Sequence, residues 1–171
     1  LGKREFDVAF ELIGRIEERR PGFYLIHLLR AACYSGKGED DLALSELNIA
    51  IEKNPGAGML YHGRAQLLIN LENHDAALSD LTKAIELSSK NPALYAGRAS
   101  LFATRKEWEK ALADISYAIT LEPESADYFF ERASIYAELG DKHGIDDYTR
   151  ALQIFPRYEN AYIGLASMYA S

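Results

Sequence analysis

One cysteine, Cys33, in 171 residues leaves no internal disulfide to build on, so the fold must be held together noncovalently. A lone thiol suits a reducing compartment such as the cytoplasm without demanding one, since helical folds form without bridges, and the localisation stays open. Basic residues are the scarcer charge: 19 Lys and Arg face 26 Asp and Glu, giving a formal net charge of -7. A surface of that sign repels phosphate backbones and argues against nucleic acid as a partner. Long apolar runs are missing too. The Ile115 to Leu121 stretch is broken by polar residues and falls far short of the roughly 20 residues a bilayer span needs. No membrane insertion is expected. The chain opens on Leu1-Gly2 with no apolar leader, which reads as an excised fragment.

The signatures of catalysis are absent as well. The sequence has no glycine-rich phosphate loop, no nucleophile elbow and no HExxH, so neither an enzyme nor a bound cofactor is expected. Glu39-Asp40-Asp41 places carboxylates side by side, but at a helix start, where the N-terminal partial charge favours acids. Cys33 is expected on the buried side of a helix with no base in phase, a packing residue and not a nucleophile. Of the four histidines, His27 falls in a core slot and His74 and His143 fall at turns. His27 and His62 have no third ligand at metal spacing, and no metal site is expected.

What the chain does have is repetition. Arg-Ala recurs at Arg30-Ala31, Arg64-Ala65, Arg98-Ala99 and Arg132-Ala133, each 34 residues from the last. A small-residue register runs through Ala9, Ala43, Ala77, Ala111 and Gly144, a third through Ala50, Ala84, Ala118 and Ala151. Pro21, Pro55, Pro123 and Pro156 keep the same phase, lapsing only at Ser89, where Asn91-Pro92 punctuates the chain instead.

Each period contains two helices. Apolar residues recur three and four apart, as in Tyr95, Ala99 and Phe102, then Ala111, Ile115, Ala118 and Ile119. Asn91 caps a helix whose first position is Pro92. Asn54-Pro55-Gly56 and Glu122-Pro123 end the helices before them. Alanine in fixed registers lets backbones approach at helix crossings. Acids at Glu46, Asp80, Asp114 and Asp147 follow the repeated arginines by 15 or 16 residues, which predicts a ladder of ion pairs across each helix pair.

Tyr95, Ala99, Phe102, Ala111, Ile115, Ala118 and Pro123 together resemble the tetratricopeptide repeat pattern, and the resemblance runs along the whole chain. It implies an all-α fold, a right-handed superhelical solenoid of antiparallel helix pairs. Full repeats fall at 24–57, 58–91, 92–125 and 126–158, the last one residue short. Residues 1–23 match the second helix of a preceding repeat and 159–171 the first helix of a following one. His27 stands where an aromatic belongs and Leu68 replaces another. Gly144 in an alanine slot predicts that the fourth repeat is the least stable, because glycine costs about 1 kcal/mol in a helix interior.

The resemblance also implies a non-catalytic module that binds another protein or peptide in a concave groove lined by the first helices. The candidate residues are Leu25, Leu28, Met59, His62, Gln66, Ile69, Ser100, Asp127, Phe130 and Glu131. Gly63, Gly97 and Gly164 would give the groove a small-residue floor, and Asp127 and Glu131 an acidic end. The helix slots supply no Lys or Arg. The carboxylate clamp of the chaperone-binding branch is missing, since its slots carry Leu28, Ala32, Gly63 and Ala93. The expected ligand is a segment with apolar anchors and a basic residue. Trp108 opens a second helix and is expected to pack. The competing role is a scaffold or self-assembly segment, joined through repeat ends that carry Leu12, Ile163 and Tyr169.

Overall fold

The computed structural model describes residues 3–170, and among them the chain is helical throughout, with ten helices and no strand. They are α1 (Lys3–Arg19), α2 (Tyr24–Gly36), α3 (Asp40–Lys53), α4 (Gly58–Asn70) and α5 (His74–Leu87). They continue with α6 (Pro92–Thr104), α7 (Trp108–Leu121), α8 (Ala126–Glu138), α9 (His143–Ile154) and α10 (Glu159–Ala170). The helices fall into two compact units, Leu1–Ser89 and Lys90–Ser171. In the first, α2 pairs with α3 and α4 with α5, α1 packing on α2 and α3 on α4. In the second, α6 pairs with α7 and α8 with α9, α7 packing on α8 and α10 on α9 and α8.

The turn inside each pair is built the same way four times. The N–H of Glu39, Asn73, Glu107 and Asp141 each donates to a carbonyl five residues back, at Tyr34, Leu68, Phe102 and Tyr136, over 2.8 to 2.9 Å. This satisfies a helix-end carbonyl and requires a left-handed residue in between. That residue is Gly38 (φ 76°), Glu72 (φ 58°), Lys106 (φ 59°) and Gly140 (φ 67°). At the start of α6 the Asn91 side chain accepts a hydrogen bond from the Ala93 N–H at 3.1 Å, with Pro92 in the first turn, as the sequence predicts.

The alanine registers are the seams of the stack. Ala43, Ala77, Ala111, Ala50, Ala84, Ala118 and Ala151 are wholly buried, and so are Ala65 and Ala133. Large side chains then close around them, led by Ile26, Leu60, Leu81, Leu94 and Ile115. Gly144 occupies its register for a steric reason. A Cβ there would lie 2.9 Å from the Ala133 carbonyl oxygen and 2.8 Å from the Met168 sulfur of α10, so the glycine admits a third helix to the seam.

Three of the four predicted arginine rungs form. Arg64, Arg98 and Arg132 each grip an aspartate through both Nε and Nη2, reaching Asp80, Asp114 and Asp147 at 2.7 to 2.9 Å. These aspartates are buried, and the paired geometry supplies their missing solvation. The remaining Nη1 reaches back to the preceding pair, Arg64 to Asn48 at 2.6 Å and Arg132 to Ser116 at 3.1 Å. The first rung differs. Arg30 donates to Glu17 of α1, while Glu46 bonds the His27 ring at 2.6 Å. Its cause is the slot His27 fills. In later repeats that slot holds Tyr61, Tyr95 or Phe129, rings that lie under the arginine 5.7 to 6.0 Å away. His27 takes Glu46 for itself. Cys33, expected on a buried face, is only half-buried.

Candidate partner-binding site

The first helices of the pairs carry the predicted groove residues, and the structure brings five of the ten into two separate hollows. In the first unit, α2 and α4 enclose one of about 190 Å³. Leu28 and Gln66 line it, with Leu47, Gly63, Leu67 and Asn70. Gly63 leaves it open, since a Cβ there would meet only ordinary contacts with Leu47 and Leu28 at 3.7 and 3.8 Å. Leu25, Met59, His62 and Ile69 lie outside the hollow. Met59 is 54% exposed, and burial pushes the half-buried His62 imidazole below its ordinary range.

The second unit holds a larger cavity, about 430 Å³, where α6, α8 and the turn into α7 meet. Ser100, Thr104, Lys106, Trp108, Phe130, Glu131, Ser134 and Glu138 line it. The Phe130 ring is held from behind, stacked on Tyr158 at 4.9 Å and tilted against Tyr148 at 5.7 Å. Ser134 Oγ donates to the Phe130 carbonyl at 2.9 Å and lies 3.2 Å from the Tyr148 hydroxyl. The wall is therefore fixed before anything binds. Gly164, expected to widen a floor, instead makes room for this scaffold, because a Cβ there would lie 2.4 to 2.8 Å from Tyr148.

Electrostatics sharpen the cavity. Glu131 is pushed up to about 7, first by burial and then by the Asp127 charge. Asp127 itself is exposed and does not line the cavity. It accepts a hydrogen bond from Tyr158, whose hydroxyl is pushed up to about 12 by burial and then by that bond. Fully buried side-chain polar atoms all have partners among the described residues, and Glu131 forms neither an ion pair nor a side-chain hydrogen bond there. The residue lines the cavity. Among the described residues no three His, Cys, Asp or Glu side chains are placed to hold a metal.

The helix-by-helix reading missed Lys106 and Trp108. It looked for groove residues on the first helices alone, whereas these two come from the turn and the start of the second helix. Lys106 adds a basic residue to the lining from the turn, outside the helix slots that supply none. The available signal was the Trp itself, the only one in the chain, set beside a turn that puts it next to the end of α6.

Residues 62–121 match the model of the tetratricopeptide repeat family. That segment, α4 from His62 through α7, carries the tetratricopeptide signature. Solved structures share the fold. MamA superposes with a TM-score of 0.81 at 19% identity, over 86% of this chain and 81% of that one. YrrB, a tetratricopeptide protein with an unusual peptide-binding site, gives 0.77 at 19% identity, over 93% and 82%. The first tetratricopeptide domain of Spaghetti (RPAP3), bound to the HSP90 peptide SRMEEVD, gives 0.64 at 21% identity, over 67% and 94%. No curated protein matches the sequence. As a class, tetratricopeptide arrays are scaffolds for protein–protein interaction, and no helix among the described residues is long and apolar enough to cross a membrane.

Proposed function

We propose that this chain is a non-catalytic interaction module that holds a peptide or helical segment of a partner protein against its first helices. The observation that carries this reading is the preformed cavity of the second unit. Trp108 and Phe130 stand in its lining, Phe130 is braced by two tyrosines, and its volume lies in the range of side-chain and ligand pockets. The smaller hollow at Leu28 and Gly63 supplies a second place for an apolar anchor, with Gln66 and Asn70 at its rim able to hydrogen-bond a peptide backbone. Two of the solved neighbours are described as binding peptides, which supports the class of ligand. The cavity carries Glu131 and Glu138 and not a cluster of cations, so an acidic carboxyl-terminal peptide is not the ligand we infer.

The test is a pull-down from source lysate with exposed-site variants. Phe130 is unsuitable for truncation, because it is packed in the core of its unit. Ser100→Arg and Met59→Glu alter exposed groove positions instead, and both should keep the wild-type melting curve. A partner lost with Ser100→Arg supports the reading; partners retained equally by both variants sink it. The second reading, self-association through α1 and α10, is favoured by exposed Leu12 (52%), Ile163 (68%) and Tyr169 (72%), and predicts concentration-dependent oligomers.

A further inference from the structure

We propose that the cavity of the second unit receives one cationic side chain, a guanidinium or alkylammonium group seated against the Glu131 carboxylate among the rings of Trp108 and Phe130. This rests on the interaction-module reading above and specifies its ligand chemistry. Three independent features converge on it. Glu131 is a partly buried carboxylate with no cation paired to it among the described residues, and it lines the cavity. Burial and Asp127 disfavour its ionised form, a disadvantage that an incoming cation would remove. The second feature is the pair of aromatic residues in the lining, Trp108 and Phe130. Ring faces attract cations, and Trp is the strongest of the common side chains in this respect. Phe130 cannot turn away, because Tyr158 and Tyr148 hold it. The third is the balance of charge at the lining, two carboxylates, Glu131 and Glu138, against the single ammonium of Lys106. Lys106 is exposed and sits on a flexible four-carbon stem, so it can swing clear, whereas Glu131 is fixed by its helix. An apolar side chain would satisfy the rings and leave Glu131 buried without a partner; an acidic one would add a third negative charge.

Trp108 is the only tryptophan in the chain, so its fluorescence reports on this cavity without labelling. The probes are acetyl-Leu-Xaa-Leu-amide peptides with Arg, Lys, norleucine or Glu at the centre, titrated into the wild type, Glu131→Gln and Lys106→Ala. The Arg and Lys peptides should shift Trp108 emission saturably, with the norleucine and Glu peptides weaker by at least about tenfold. Glu131→Gln should abolish the preference while keeping the fold, and Lys106→Ala should leave or strengthen it. Equal binding of the Arg and norleucine peptides overturns the cation site and leaves the peptide-binding reading standing. Preference for the Glu peptide overturns it in favour of Lys106. No saturable response to the Arg peptide at millimolar concentration also overturns it, while the Ser100→Arg pull-down judges the module reading separately.

Discussion

Glu131 and Glu72 show how far single side chains depart from what the repeat pattern asks. The ordinary carboxyl value of 4.5 is raised to about 7 at Glu131, so the folded protein holds its proton more tightly than the unfolded chain does. The sign follows directly: stability is full below about pH 4.5, falls as the unfolded state ionises first, and levels off above about pH 7. Glu131→Gln should therefore flatten that part of the pH profile. At pH 8 it should be more stable than wild type by about 1–3 kcal/mol, the lower end reflecting solvent at the cavity mouth. Urea midpoints at pH 5 and pH 8 measure the difference, and an identical pH response in both proteins would refute the burial of an unpaired carboxyl. The groups that bear on it are Asp127, Glu138, Lys106, Tyr128 and Tyr158. Glu72 occupies a left-handed position that Gly38 and Gly140 fill elsewhere, at φ 58°. Glu72→Gly should raise the midpoint by about 1 kcal/mol of stability, the Cβ strain relieved outweighing glycine's extra freedom in the unfolded chain.

At the scale of the helix pair, most of the architecture was legible because alanine, arginine and the turn residues keep one phase. Small residues at crossings and the Asn91-Pro92 start have local causes that a sequence displays. The Arg30 rung was not legible, since its outcome depends on which of two neighbours, His27 or Arg30, captures Glu46. The steric role of Gly144 was not legible for a related reason. Helix propensity alone makes it a weakness, but the neighbour that needs the space, Met168, lies 24 residues further on in α10. Gly144→Ala should consequently destabilise the protein by about 1–3 kcal/mol despite alanine's better propensity, because the Ala133 backbone carbonyl cannot move aside cheaply. A rise in the denaturation midpoint would show that the seam has slack.

For the molecule as a whole, the candidate groove residues were only partly legible. Spacing places side chains on a helix face, but it does not say which faces leave a void between them. Ser100, Phe130 and Glu131 share one cavity and Leu28 and Gln66 another, while Met59 and Ile69 border neither. Trp108 and Lys106 enter from a turn whose direction is fixed by the left-handed residue and its hydrogen bonds. If the interaction module works as proposed, a partner lies on the first helices and not on the terminal ones. Hydrogen exchange of the chain, with and without the partner recovered in the pull-down, tests it most directly. Added protection is expected in α6, in α8 and across the turn at residues 105–107; protection confined to α1 and α10 would refute the cavity and assign the interaction to those terminal helices.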